Sequence, residues 1–316
     1  MKGTAVMKKA LKIIGIVVLV VVVLLVILFL VLANKPAVAK DYTKTVKPGG
    51  EIEAKYLQTG PYEVSSLKMD VMENFKRYEM WYPTEITSTD RKYPAVIFAN
   101  GTGVKASAYS PVLEHLASWG FVVIGTEEEY SWNGFSCEMC LRLLMKVNEN
   151  ENYPIADPNP FYDKIDLENI GLSGHSQGGV GVFNAATDTA HKDMYKTIFA
   201  ASPSNMALAH NLEWDYDVTG LDIPVFLASS TGNADENLVV NLEGLREIYD
   251  AIPSDTKLML RRNDADHGDM LSYADGYMTA WFMWQLQGDE TAALAFVGDE
   301  AEIWNNNYYQ DIDKNF

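Results

Sequence analysis

The stretch Gly174-His175-Ser176-Gln177-Gly178 sets a serine between two glycines, inside "IDLENIGLSGHSQGGVGVF". A serine hydroxyl is a weak nucleophile until a neighbouring base takes its proton. The chain has five histidines to supply that base. His175 lies inside the motif, with its side chain directed away from that of Ser176. His115 falls in an earlier helical pattern, and His191 and His210 precede the remaining strands. Only His267, in "RRNDADHGDM", follows the last strand pattern and precedes the last helix. An imidazole in that role needs a carboxylate to orient it and to stabilise its positive charge. "TGNADEN" offers Asp235, with Glu236 as the alternative or as an early helix residue favoured by the helix dipole. Asp264 and Asp266 are too close to His267 along the chain for that part and are expected to shape its loop.

Charge that develops on a carbonyl oxygen under attack needs two N–H donors aimed at it. Gln177, directly after the serine and first in a helix, supplies one. Thr102, in the "NGTG" loop after "YPAVIFA", supplies the other. Asn100-Gly101-Thr102 also reads as a glycosylation sequon, which a glycan at this place would make incompatible with a working site.

These residues need elements that carry them to one place. "YEVSSLKMDV" and "KRYEMWYP" read as strands joined by a turn. From Tyr93 onward, short apolar runs alternate with patterns of helical period. "YPAVIFANG", "FVVIGTEEE", "IDLENIGLSG", "YKTIFAAS", "IPVFLASS" and "TKLMLRRN" are the strands. "SPVLEHLASWG", "CEMCLRLLMKV", "GGVGVFNAATD", "ENLVVNLEGLREIYDAI" and "DMLSYADGYMTAWFMWQLQ" are the helices. Continuous apolar strands alternating with helices predict a mostly parallel sheet covered on both faces. Ser176 then falls at a sharp strand-to-helix turn. Gly174 and Gly178 remove the side chains that would collide there, and the hydroxyl stands at the C-terminal edge of the sheet.

Ahead of all this, Ile13–Ala33 is 21 residues without a charge, preceded by Lys2, Lys8, Lys9 and Lys12. Its length suits a membrane-spanning helix, and the lysines predict that the N-terminus stays in the cytoplasm while the rest is exported. Ala37–Ala39 ("AVA") offers the rival reading of a cleaved signal and a secreted product. The chain holds 43 Asp and Glu against 25 Lys and Arg, a formal net charge of −18, and four of those lysines precede the apolar run. Nucleic acid is therefore excluded as a partner for the remainder. Cys137 and Cys140 stand as a lone C-x-x-C, too few ligands for a structural zinc site. The pair reads either as a small disulfide or as two buried thiols on one helix face. No metal or cofactor is called for.

The ordered set resembles α/β-hydrolases of the dienelactone-hydrolase superfamily, in the branch of bacterial cutinases, polyester hydrolases and chlorophyllase-like proteins. The similarity runs from "TGPYEVSSL" and "MWYPTE" through "YPAVIFANGTG", "LASWGFVVIGTEE", "FYDKIDLENIGLSGHSQGGVGVFNAA" and "IPVFLASSTGNAD" to "DADHGDM". It implies a carboxylic-ester hydrolase working through an acyl-enzyme on a small or lipid-like ester. Ser176 is then the nucleophile, His267 the base, Asp235 the acid, and Thr102 and Gln177 the oxyanion donors. Acyl transfer with the same triad and a binding protein on an inactive hydrolase fold are the alternatives. The resemblance departs in two places. Polyester hydrolases of this type carry an aromatic residue where Thr102 falls and a tryptophan after the sixth strand, where this chain reads "AASPSNM". The expected layout is a basic cytoplasmic segment (1–12), a membrane anchor (13–33), a linker (34–50), and an α/β-hydrolase domain (51–316) with an extension from about 288.

Overall fold

Seven consecutive apolar residues can all be buried only if the strand they form is covered on both sides. The segment Tyr93–Ala99 is such a strand, β3, with every residue buried. Val96 and Phe98 pack into one apolar layer, and Ala95, Ile97 and Ala99 into the other, as the two-residue period of a strand requires. The computed structural model describes residues 36–69 and 77–316. Within them a nine-stranded sheet is built from β1 (Val64–Met69), β2 (Tyr78–Pro83), β3, β4 (Val122–Thr126), β5 (Ile165–His175), β6 (Tyr195–Ala201), β7 (Val225–Ser230), β8 (Lys257–Arg262) and β9 (Tyr309–Lys314). The spatial order is β1-β2-β4-β3-β5-β6-β7-β8-β9. The run from β4 to β8 is parallel, while β1, β2 and β9 enter through antiparallel pairings.

Five longer helices cover the sheet: α1 (Ser110–Ser118), α2 (Phe135–Glu149), α3 (Gln177–Asp188), α4 (Leu242–Ala251) and α5 (Asp275–Gln287). Residues of α1 and α5 share an apolar cluster with one face of the sheet. Those of α2, α3 and α4 share the cluster on the opposite face. This is the α/β-hydrolase architecture. Parallel strands with helical crossovers place all their C-terminal ends on one edge, so the loops after β3, β5, β6, β7 and β8 gather there.

Several expectations need correction. The segment 34–50 is not a linker throughout: Val38, Tyr42 and Val46, four residues apart, are buried in the core, and Tyr42–Thr45 forms a helical turn. Helix α4 starts at Leu242, capped by the Asn241 side chain on Gly244 N–H at 2.9 Å, because the preceding Asp235–Val239 takes a wider helical turn of its own. The closing helix is broken at Ala274 into Met270–Tyr273 and α5. The tail after Gly288 returns to the sheet as β9, antiparallel to β8.

A buried guanidinium holds that return in place. Arg262, fully buried at the end of β8, donates to Glu53 Oε1 at 2.8 Å, Tyr309 Oη at 2.8 Å, Lys47 O at 2.8 Å and Tyr273 O at 2.7 Å. Its Nε reaches Asp264 Oδ1 at 2.8 Å. One side chain thus ties the entry segment, the tail and the root of the loop that carries His267. The apolar run Ile13–Ala33, expected to span a membrane, lies outside the described residues. Among the described residues no helix is long and apolar enough to do so.

Candidate active site

Between β5 and α3 the chain reverses in a single residue. Ser176 sits at φ 59° and ψ −120°, outside the regions that L-residues favour. It is held there by Ser176 N–H donating to Ala201 O at 2.9 Å and by Gly179 N–H donating to Ser176 O at 2.9 Å. The turn is so tight that side chains on its flanks have no room. A Cβ on Gly174 would lie 2.2 Å from Gly178 O, and one on Gly178 would lie 2.0 Å from Ala99 O. Both glycines are therefore steric requirements of the strand–turn–helix geometry, as their spacing predicts.

The loops after β7 and β8 bring Asp235 and His267 to this serine. His267 Nε2 lies 2.9 Å from Ser176 Oγ, and His267 Nδ1 lies 2.8 Å from Asp235 Oδ1. With Nδ1–H donating to the carboxylate, Nε2 is left as the acceptor facing the serine hydroxyl. Asp235 is fully buried. Burial, the largest influence on its carboxyl, acts to raise the pKa; the hydrogen bonds from His267, Ser202 and Ser230 outweigh it and hold the pKa below the usual carboxylate value. Glu236, the alternative carboxylate, turns away and pairs with Arg261.

Four further residues support this arrangement, three of them without having been singled out for it. Asp235 Oδ2 accepts from Ser202 Oγ at 2.6 Å, Ser230 N–H at 2.8 Å and Ser230 Oγ at 2.7 Å. Ser202 directly follows β6 and adopts φ 44°, a conformation sustained by its N–H donating to Ala228 O at 2.6 Å. Asp266, expected to shape the histidine loop, does so by accepting from His267 N–H at 2.8 Å. The same oxygen accepts from Ala234 N–H at 2.9 Å, so it also clamps the neighbouring loop that carries Asp235. His175, buried, lies against the ring of His267 with centroids 4.8 Å apart. The serines stand at the ends of β6 and β7, neighbouring strands of the sheet. That position was the only sequence signal for them.

The two expected oxyanion donors occupy different settings. Gln177 is the first residue of α3, so its N–H has no acceptor within the helix. Its buried side chain accepts from Ser131 N–H at 2.9 Å, and Ser131 Oγ donates to Asn100 O at 2.6 Å. This links the helix start to the loop after β3. Thr102 is exposed in that loop. Asn100 is buried and spends its Nδ2 on Thr126 O at 2.6 Å and Glu128 O at 2.8 Å, which leaves no amide for a glycan. Cys137 and Cys140 are free, buried thiols on α2, so the disulfide alternative is not what forms. Burial pushes the Cys137 thiol up to about 12, where it stays protonated.

A family model described as PET hydrolase-like (PETase) matches residues 39–301, most of the chain and every residue of the site just described. The chain belongs to this family. Among curated proteins, this PET hydrolase-like chain is similar to a chlorophyllase type 0 of Chenopodium album, 25% identical over 206 residues. That match covers 55% of this chain and 56% of the relative, so the chain spans little more than half of that protein's length. Both similarities fall in the branch that the ordered motifs indicated.

Proposed function

We propose that the protein is a serine carboxylic-ester hydrolase that works through an acyl-enzyme. The observation that carries this reading is the unbroken hydrogen-bonded chain from Ser176 Oγ through His267 to Asp235, on a strained turn at the C-terminal edge of the sheet. Family membership supports it. Ser176 Oγ attacks the ester carbonyl carbon as its proton passes to His267 Nε2, and the resulting imidazolium is stabilised by the Asp235 carboxylate. The N–H groups of Gln177 and Thr102 take the negative charge that forms on the carbonyl oxygen. Collapse of the tetrahedral adduct breaks the bond to the alkoxide, which leaves with the proton from His267. Water, deprotonated by the same nitrogen, then attacks the acyl-enzyme and releases the carboxylic acid and the free serine.

Threonine at 102 and the absence of an aromatic residue in "AASPSNM" support simple carboxylic esters as substrates over aromatic polyesters. We further place the catalytic domain outside the cytoplasm, tethered by Ile13–Ala33 as a single-pass anchor. The lysines before that run and the lack of charge within it support this.

The test is hydrolysis of p-nitrophenyl esters of graded acyl length by the full-length chain in detergent, beside Ser176→Ala. A single optimum of chain length is expected, with a fall in kcat of up to about 10⁶ in the variant. Turnover retained by Ser176→Ala would overturn the assignment. N-terminal sequencing of the membrane fraction tests the anchor; a mature N-terminus after Ala39, in a soluble fraction, would contradict it.

A further inference from the structure

His175 stands next to Ser176 and takes no part in the proton transfers above, yet it meets the base at both its ring and its backbone. It is the last residue of β5 and only 7% exposed, so a substrate has almost none of its surface to touch. Its ring lies beside that of His267, with centroids 4.8 Å apart and planes inclined by 33°. Its Nε2 is 2.8 Å from the main-chain carbonyl oxygen of His267. A carbonyl can only accept, so this nitrogen carries the proton and Nδ1 carries the lone pair. Tyr109 Oη, 3.3 Å from Nδ1, is buried and donates to it. A Cβ on Gly101 would lie 2.8 Å from Tyr109 Oη and 3.3 Å from His175 Nδ1, so the oxyanion loop packs on the same pair. The hydrogen bonds therefore run Tyr109 to His175 to the backbone of His267, all in one direction.

We propose that His175, as a neutral Nε2–H imidazole supported by Tyr109, is a positioning residue that fixes the backbone and ring plane of His267 beside Ser176. The inference rests on the hydrolase reading above. His267 sits in a loop between β8 and the Met270–Tyr273 helix, where Asp235 holds its Nδ1 and Asp266 its main-chain N–H. A bond to its carbonyl and a ring against its face restrain the parts of the residue that those two contacts leave free. The neutral state is secured by the surroundings. Burial first, and the adjacent His267 second, push the His175 pKa down to about 4, against the smaller opposing influences of the bond to the His267 carbonyl and of Asp235. A neutral ring is also the one compatible with an imidazolium forming at 4.8 Å.

The test compares the full-length chain in detergent with His175→Phe, His175→Gln and Ser176→Ala. Phenylalanine keeps a ring and loses the donor; the glutamine amide can reach the same carbonyl. Misplacing a reacting group by about 1 Å can cost 10²-fold in rate. His175→Phe is therefore expected to lose about 10- to 100-fold in kcat with KM within about twofold, and His175→Gln to recover most of the loss. If Ser176→Ala is inactive and His175→Phe keeps its kcat, the positioning role is refuted while the hydrolase reading stands. If Ser176→Ala is active, both fail. Should His175→Phe not fold, ¹⁵N chemical shifts of the histidine-labelled wild-type protein decide the matter. His175 is expected as the Nε2–H tautomer, and the Nδ1–H tautomer would overturn the proposal.

Discussion

Replacing Asp235 by asparagine tests how tightly the site dictates a tautomer. Asp235 Oδ2 accepts three hydrogen bonds, from Ser202 Oγ and from both the N–H and the Oγ of Ser230. The main-chain N–H can only donate, so whatever occupies that position must accept. An asparagine at 235 is thus forced to put its carbonyl oxygen there and its NH₂ group 2.8 Å from His267 Nδ1, where the carboxylate stood. The imidazole then has to offer its lone pair at Nδ1 and carry its proton on Nε2, facing Ser176 Oγ. In that form it cannot take the serine proton. The same exchange in a serine-protease triad lowers kcat by about 10⁴ with the geometry intact, and a loss of that order, about 5 kcal/mol of barrier, is expected here. Initial rates on a p-nitrophenyl ester, with a thermal melt to confirm folding, make the assay. A folded Asp235→Asn protein retaining more than about a tenth of wild-type kcat would refute the tautomer argument.

Stability should also depend on pH through His175. Its folded-state pKa, about 4, lies below the unfolded value near 6.5, so between these values the unfolded chain binds more protons. The contribution is complete above pH 6.5 and is lost as pH falls towards 4; urea unfolding at pH 7 and 4.5 should show wild type losing about 2–3 kcal/mol more than His175→Gln. Gly178→Ala sets a methyl 2.0 Å from Ala99 O, where only backbone can yield, and should cost at least about 3 kcal/mol by the same method or leave no folded protein. Glu53→Leu strips buried Arg262 of one of its two carboxylate partners, Asp264 remaining, and is expected to destabilise the fold by about 3–5 kcal/mol in urea titration.

The parallel core was legible because strands buried on two faces carry continuous apolar runs, and β3 to β8 each show one, confined to Ile170–Leu172 in β5 and Leu258–Leu260 in β8. The meeting of Ser176, Asp235 and His267 was legible for a related reason. Strand order fixes which loops meet at the C-terminal edge, so the order of Ser176, Asp235 and His267 along the chain was itself spatial information. Contacts without a local pattern escaped. Tyr42 and Val46 stand singly among polar residues and Val38 between two alanines, and only the packed structure reveals them as core. "YQDIDK" carries no strand signature, yet it forms β9 because the edge of β8 offers unpaired backbone groups. The support of Asp235 by Ser202, and of His267 by His175, joins residues 33 and 92 positions apart through single hydrogen bonds, which leave no periodicity to read.

The most direct test of the central claim is reaction of the full-length protein with a fluorophosphonate probe, followed by peptide mapping. One covalent adduct is expected, on Ser176, abolished in Ser176→Ala and strongly slowed in His267→Ala. A protein that remains unlabelled, or is labelled at another residue while Ser176 stays free, would contradict it.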